Sequence, residues 1–229
     1  MKYMGGKYHI SKYIVPIMLA ERKHNQYWVE PFVGGGNIIT EVDGLRIGAD
    51  IYPNAIQALI SIRDHVFELP KTRKEFTELD YKKLKSYKHA GYAGFCFSFG
   101  GKWLGGYCKD TDNKRDYIQE AYFQALIQHP KLQGVQLLVS NFIDLQIPPN
   151  SLIYCDPPYA NTTDYKTNFD SDLFWEWCRI KSKTGHTVFI SEYMAPDDFE
   201  CIWLKNKASS LTLDTGSKIG SEKLFKFKG

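Results

Sequence analysis

The chain has 229 residues, of which 43% are hydrophobic and 24% are charged, and its formal net charge is +3. This length and composition predict one α/β domain with a small insertion, and they exclude a disordered chain and a fibrous protein. The net charge is too small to indicate a polyanion partner unless the basic residues cluster.

Apolar runs such as residues 14–20 are shorter than the roughly 20 residues that span a bilayer. Met1 leads into polar residues rather than into the apolar core of a signal peptide, so we expect a cytoplasmic protein without a membrane anchor. The five cysteines have no C-x-x-C spacing and the six histidines have no metal-ligand spacing. Neither a disulfide framework nor a bound metal is therefore predicted.

In chain order, the first predicted unit is a strand, a glycine-rich turn, a helix and a second strand. The strands are predicted over residues 27–32 and 46–50, and the glycines at 34–36 lie between them. The segment NIITEV after the glycines is expected to begin a helix with its free amides directed at the loop. Residues 53–66 then have apolar positions at helical spacing.

The second half of the chain resumes the same alternation of strands and helices. Buried strands are predicted over 135–139, 151–155 and 187–191, with an amphipathic helix over 172–183. A final pair of strands or a hairpin is expected within 209–229. The pattern predicts an α/β fold with a mostly parallel sheet and helices on both faces.

Residues 61–134 interrupt this alternation, and we interpret them as an inserted subdomain. The insert is rich in lysine, arginine and aromatic residues. Basic residues bind phosphates and aromatic residues stack on bases, which favours a nucleic-acid interface. A solvated helix face over an aromatic core has the same composition, so the insert alone does not decide between the two.

The three consecutive glycines permit positive φ and a close approach of the backbone to a ligand. They match neither G-x-G-x-x-G nor the P-loop pattern. Asp50 follows Gly36 by 14 residues, at the end of the second strand, where a carboxylate can accept hydrogen bonds from ribose hydroxyls. The combination favours an adenosine cofactor with a non-phosphate tail over a plain turn with a capping aspartate.

A second motif, Asp156-Pro157-Pro158-Tyr159, follows a predicted buried strand. The Asp156 side chain and the Pro157 carbonyl are two acceptors on stiff backbone, and they can hold both hydrogens of an exocyclic NH₂ group. Tyr159 can stack on the ring that bears this amine. The alternative is a proline-stiffened turn, but the position after a strand and downstream of the glycine loop favours a catalytic role.

With these motifs in order, the sequence resembles the adenine-specific DNA methyltransferases of the Dam type (D12 class, alpha group), especially their solitary phage-like members. The motifs that carry the resemblance are Tyr3-Met4-Gly5-Gly6-Lys7, residues 30–36, Ala49-Asp50-Ile51, residues 139–142, residues 156–159, residues 189–193 and residues 222–225.

The resemblance implies a Rossmann-like S-adenosylmethionine-dependent methyltransferase fold with a mostly parallel seven-stranded sheet. Residues 1–60 and 135–229 would form the catalytic domain, and 61–134 a mainly helical target-recognition subdomain. The activity implied is methyl transfer from S-adenosylmethionine to N6 of a flipped adenine in double-stranded DNA, by a monomer or weak dimer without a metal.

The resemblance also assigns roles to individual residues. The catalytic residues would be Asp156, Pro157, Pro158 and Tyr159. The cofactor-binding residues would be Tyr3, Gly5, Gly6, Lys7, Glu30, Pro31, Phe32, Gly34, Gly36, Asp50, Ile51, Asn141, Phe142 and Asp156. The resemblance places Lys7 near the target DNA or the cofactor pocket. From the composition of the insert, and not from the resemblance, we expect Lys102, Trp103, Lys114 and Arg115 to bind DNA, with ordinary surface charges or a core aromatic as the alternative.

Asn141 departs from the family pattern, which has aspartate at this position. Its side-chain carbonyl can accept one hydrogen bond without the charge, so weaker cofactor binding is expected, with Asp144 as a candidate substitute.

Several other functions are weighed against this one. Cytosine N4 or a protein glutamine amide would fit the same acceptors, and the chain could be a DNA-binding module with little turnover. An NAD-dependent oxidoreductase is disfavoured by the missing dinucleotide fingerprint, and the absence of a Pro-Cys dipeptide disfavours methylation of cytosine C5.

Overall fold

The computed structural model describes residues 1–110, 112, 114–158, 169–207 and 220–229. The helices are α1 (Tyr8–Ala20), α2 (Pro53–His65), α3 (Glu78–Lys82), α4 (Ala90–Cys96), α5 (Tyr117–Leu132) and α6 (Ser171–Lys183). The strands are β1 (Trp28–Glu30), β2 (Arg46–Asp50), β3 (Val135–Val139), β4 (Leu152–Cys155), β5 (Thr187–Ser191), β6 (Phe199–Lys207) and β7 (Gly220–Phe227). Each helix within these ranges is too short or too polar to span a bilayer.

The strands form one seven-stranded sheet in the order β3-β2-β1-β4-β5-β7-β6. The pairs from β3 to β5 are parallel, whereas β7 runs antiparallel to both of its neighbours. Val29 of β1 pairs with Ile47 of β2 on one side and with Ile153 of β4 on the other. The predicted α/β fold with a mostly parallel seven-stranded sheet is confirmed.

Two hydrophobic cores cover the two faces of the sheet. The first includes Ile14 of α1, Leu59 of α2 and Tyr92 of α4, and the second includes Phe174 and Trp177 of α6. These side chains are almost fully buried, and burial of apolar area on both faces is what stabilises a parallel sheet.

Residues 61–134 contribute to the first core rather than building a separate one, since Phe76, Tyr92 and Phe97 pack in it. The proposed boundary after residue 60 falls inside α2, and α5 packs against α2. The described part of this segment is mainly helical. Its division from the rest of the chain as a target-recognition subdomain remains a proposal.

The prediction that a helix begins at NIITEV is wrong. Only one turn of 3₁₀ helix forms there, at Ile39–Glu41, before the chain extends at Val42 and returns to β2. Four of the residues from 38 to 42 are β-branched, which disfavours an α-helix. The Thr40 hydroxyl donates to the Gly36 carbonyl at 2.7 Å, which closes the turn locally.

The position of the last two strands also needs correction. The strand before the last is β6, which ends at Lys207, before the predicted region begins at residue 209. Its polar positions, such as Glu200 and Lys205, interrupt the apolar pattern because β6 lies at the edge of the sheet. Residues 208–219 lie outside the described residues.

The carboxyl ends of β1, β2 and β4 lie side by side in this sheet. The glycine loop follows β1, Asp50 ends β2 and Asp156 follows β4. Open parallel sheets bind ligands at this edge, so the two motifs of the sequence meet where a ligand is expected.

Candidate active site

The glycine loop makes a tight turn directly after β1. Val33 donates its amide to Ala49 at 2.8 Å, and Gly36 donates its amide to Val33 at 2.8 Å. Gly34 and Gly36 have φ values of +47° and +68°. A Cβ atom at Gly34 would lie 3.0 Å from the Tyr3 ring, so this turn has room only for glycine there.

Asp50 holds this loop from the end of β2. Its Oδ2 accepts the Gly34 amide at 3.0 Å and its Oδ1 accepts the Tyr52 amide at 3.0 Å. Burial raises the pKa of Asp50, and the amides that it binds oppose this shift. Each carboxylate oxygen keeps a second lone pair, so Asp50 can accept from a ligand while it holds the loop.

The segment after Asp50 offers an apolar surface beside the carboxylate. Ile51 is 55% exposed although it follows a fully buried strand. Phe142 belongs to the second core, where it is buried and packs on Phe32 with 5.4 Å between the ring centroids. The ring of Phe142 is therefore mostly enclosed in the second core, and Ile51 is the more accessible of the two predicted cofactor contacts.

Asn141 caps the turn that follows β3. Its Oδ1 accepts the Ile143 amide at 3.2 Å, and its backbone carbonyl accepts the amides of Asp144 and Leu145. The sequence did not predict this local role for Asn141. Asp144, the candidate substitute for the family aspartate, is exposed.

Asp156 forms an ion pair with Lys7. The Nζ atom of Lys7 lies 3.1 Å from Oδ1 of Asp156 and 3.7 Å from Oε2 of Glu222, and the Lys7 side chain is only 5% exposed. Lys7 Nζ also donates to the Gly5 carbonyl at 3.3 Å. Burial lowers the pKa of Lys7, but the two carboxylates raise it more, so Lys7 is charged at neutral pH.

The sequence predicted Lys7 and Asp156 as site residues, but it did not predict that they contact each other. Glu222 was predicted only as part of a closing strand, and its place beside Lys7 is a finding of the structure. Pro157 is buried and Pro158 is half-buried. Tyr159 lies outside the described residues, so its predicted stacking role has no structural description.

Glu30 lies beneath the glycine loop, at the end of β1. It is almost fully buried, and its Oε1 accepts the indole N–H of Trp28 at 2.8 Å. Burial raises the pKa of Glu30 to about 8, assisted by the nearby charge of Asp156 and opposed by the Trp28 hydrogen bond. A carboxyl with this pKa is mostly protonated at pH 7, and the predicted role of Glu30 in cofactor binding stays a prediction.

Most of the predicted DNA contacts in the insert are engaged within the protein. Trp103 is half-buried and packs on Phe95 at 5.0 Å between ring centroids. Lys114 pairs with Asp112 at 3.3 Å, and Arg115 pairs with both carboxylate oxygens of Glu120 at 2.9 and 2.8 Å. Lys102 is exposed. A DNA-binding role for these residues remains a proposal.

Solved structures similar to the chain include two methyltransferases. The first is yhhF from Escherichia coli, described as a methyltransferase, with 9% identity, a TM-score of 0.41 and coverage of 97% of this chain and 86% of that chain. The second is the tRNA (m1A58) methyltransferase TrmI from Aquifex aeolicus, with 9% identity, a TM-score of 0.41 and coverage of 99% and 70%. The similarity is distant in both sequence and structure.

Among curated proteins, the chain is similar to the Type II methyltransferase M.FokI from Planomicrobium okeanokoites. The two are 24% identical over 208 residues, which cover 79% of this chain and 32% of M.FokI. The chain thus spans about a third of the length of that relative.

A family model for the D12 class of N6 adenine-specific DNA methyltransferases matches residues 3–130, which is more than half of the chain. The match contains Lys7, the glycine loop and Asp50, and it ends before Asn141 and Asp156. The predicted resemblance is confirmed at this level: the chain belongs to the family of D12 class N6 adenine-specific DNA methyltransferases.

Proposed function

We propose that the chain transfers a methyl group from S-adenosylmethionine to N6 of adenine in double-stranded DNA. The observation that carries this proposal is the position of Asp156, which follows the central strand β4, beside the glycine loop and Asp50, and pairs with Lys7. Within the family, we assign the chain to the Dam-type members on the order of its motifs.

The residues at the sheet edge fit the proposed cofactor. Asp50 keeps two lone pairs for ribose hydroxyls, and Ile51 presents an apolar surface for an adenine ring. Gly34 and Gly36 allow the tight turn at positive φ that places Asp50 beside the loop. S-Adenosylmethionine supplies a methyl group on a sulfonium that is already activated for transfer. The protein therefore has to bind and orient the reactants rather than activate the donor.

Asp156 and Pro157 would hold the amino group of the target base. Lys7 lies against Oδ1 of Asp156, and the carboxylate has further lone pairs for an N–H of the base. The Pro157 carbonyl is the second acceptor, and the two prolines keep it in place. Holding both hydrogens directs the nitrogen lone pair toward the donor, and such orientation is worth up to ~7–11 kcal/mol.

Lys7 would keep the acceptor ionised. A cation at 3.1 Å favours the carboxylate form of Asp156, and the carboxylate only accepts hydrogen bonds, whereas a protonated carboxyl would direct an O–H donor at its surroundings. The target base has to leave the duplex to reach this residue, which costs a few kcal/mol of unstacking and unpairing. Contacts to the DNA backbone are needed to offset that cost.

The test uses tritiated S-adenosylmethionine and plasmid DNA grown without adenine methylation, because a plasmid presents many sequence contexts. Nucleosides from the labelled DNA are separated by mass, which distinguishes N6-methyladenine from N4-methylcytosine. We expect label in N6-methyladenine with the unmodified protein and its loss with Asp156→Asn. The matched control is Asp64→Asn, an exposed carboxylate that pairs with Arg63.

Two results would contradict the proposal. Label in N4-methylcytosine would show that the site methylates the N4 amino group of cytosine instead of N6 of adenine. DNA binding without any label, in the presence of bound cofactor, would indicate a binding module without turnover.

A further inference from the structure

A basic and aromatic surface lies on α1 and β6, outside the insert that the sequence indicated. We define the α1–β6 surface by Lys12, Tyr13 and Lys205. The Nζ atoms of Lys205 and Lys12 lie 4.0 and 5.0 Å from the centroid of the Tyr13 ring. Tyr13 is 39% exposed and stacks on Trp203 at 6.2 Å between ring centroids, so the surface has a fixed aromatic base.

The two lysines differ from the basic residues of the insert in their partners. Lys114 and Arg115 are paired with carboxylates, whereas within the described ranges neither Lys12 nor Lys205 has a carboxylate oxygen within 4.0 Å of its ammonium group. Helix α1 itself contains no aspartate or glutamate. The two ammonium groups repel each other because both lie next to the same ring. An anion that contacts both of them would offset this electrostatic repulsion.

This surface is continuous with the candidate active site. Lys205 lines a cavity of about 90 Å³ together with Lys7, His9, Asn206 and Glu222. Lys7 of this lining pairs with Asp156 at 3.1 Å, so one side chain connects the cavity to the residue proposed to hold the target amine. An anion on the α1–β6 surface would therefore be a near neighbour of the flipped base.

We infer that the α1–β6 surface binds the phosphate backbone of the DNA strand that carries the target adenine. This inference rests on the proposed function. A base rotated out of the duplex keeps its covalent link to its flanking phosphates, so those phosphates must pass close to the pocket that holds the base. Protein grooves that bind the nucleic-acid backbone combine ammonium groups, which contact the phosphates, with aromatic side chains.

The experiment measures binding of a fluorescein-labelled duplex of mixed sequence by fluorescence anisotropy, from about 50 to about 200 mM salt. The variant is the double substitution Lys12→Gln/Lys205→Gln. The control is Lys23→Gln/Lys183→Gln, which removes the same charge from two exposed lysines outside residues 61–134. Thermal unfolding of all proteins by circular dichroism checks the fold, and all four lysines are exposed.

Each phosphate contact contributes about 0.9 to the slope of log K against log salt. We expect the slope of the double variant to fall by about 1.8 and its affinity at ~0.1 M salt to fall about 60-fold, with about half the slope change in each single variant. The control should keep the slope of the unmodified protein. A Lys12/Lys205 variant that binds like the control would overturn the inference and leave the proposed function intact. No duplex binding by the unmodified protein would overturn both.

Discussion

The Nζ atom of Lys7 lies 3.1 Å from Oδ1 of Asp156, which joins the start of the chain to the loop after β4 across 149 positions of sequence. The same Nζ lies 3.7 Å from Glu222 on β7. One buried cation thus links three distant segments at the sheet edge. We therefore expect Lys7 to support the fold and to orient the Asp156 carboxylate.

Replacement of Lys7 by methionine should destabilise the protein. It would leave Asp156 and Glu222 without their cation, and the side chains are only 20% and 14% exposed. Loss of one partner of a buried pair costs about 3–5 kcal/mol, and the partial exposure of Asp156 places the expected loss near ~3 kcal/mol. Urea unfolding measures this free energy directly.

The double variant Lys7→Met/Asp156→Asn tests whether the effect comes from the pair. If the two residues interact, the double variant should be destabilised by less than the sum of the single variants, with a coupling energy of about 1–3 kcal/mol. Additive effects would show that Lys7 acts through packing alone.

Asp50→Asn should weaken cofactor binding. Both Asp50 oxygens accept backbone amides, so an asparagine NH₂ would face the amide of Gly34 or Tyr52 and disturb the loop. The loss of a charged acceptor costs about 1.5–3 kcal/mol, which corresponds to roughly a 10- to 150-fold weaker affinity for S-adenosylmethionine. Isothermal titration calorimetry measures it, with Asp64→Asn as the control. An affinity within a factor of two of the unmodified protein would remove Asp50 from the binding site.

The sequence predicted the elements that place the site. Strands β2, β3 and β5 have the predicted bounds because each is a short apolar run between turn residues, and their pairing in a sheet brings the glycine loop, Asp50 and Asp156 to one edge. Each of these motifs ends or directly follows a parallel strand. Because the carboxyl ends of parallel strands lie at the same edge of a sheet, the positions of the motifs in the sequence predict that edge as the site.

Contacts between distant residues were not predictable in this way. The pairing of Lys7 with Asp156 and Glu222 depends on side-chain directions that no local pattern encodes. Lys114 and Arg115 form ion pairs with carboxylates no more than five positions away along the chain. The composition of the insert shows that these charges are present but does not show which of them pair. The α1–β6 surface was missed for the same reason, because its two lysines are 193 positions apart.

Asn141→Asp should strengthen cofactor binding. An aspartate at this position can still accept the Ile143 amide, as Asn141 Oδ1 does at 3.2 Å, and it adds a charge to any further hydrogen bond. A gain of about 1.4 kcal/mol would tighten the affinity for S-adenosylmethionine roughly tenfold. Asn150→Asp, the same change at an exposed residue just before β4, is the calorimetric control. Unchanged or weaker binding by Asn141→Asp would mean that Asn141 serves only as the cap of its turn.

Glu30→Gln should change how stability depends on pH. The pKa of Glu30 is raised from 4.5 to about 8 in the folded protein, chiefly because the carboxyl is buried. Between these values the unfolded chain releases the proton while the folded chain keeps it, so the free energy of unfolding falls as pH rises and levels off above about pH 8. The contribution of this one group to the slope is at most about 1.4 kcal/mol per pH unit.

Glutamine has the shape of the protonated carboxyl but does not ionise, so the variant should lose this part of the pH dependence. We expect the stability of Glu30→Gln relative to the unmodified protein to increase steadily between about pH 5 and about pH 8, measured by urea unfolding at fixed ionic strength. Glu41→Gln, at an exposed carboxylate that pairs with Lys131, controls for the loss of one acidic group. A relative stability that stays constant across this range would show that Glu30 is ionised in the folded protein. Its buried charge would then need compensation, for which the described residues show one neutral hydrogen bond from Trp28 and the more distant charge of Arg46.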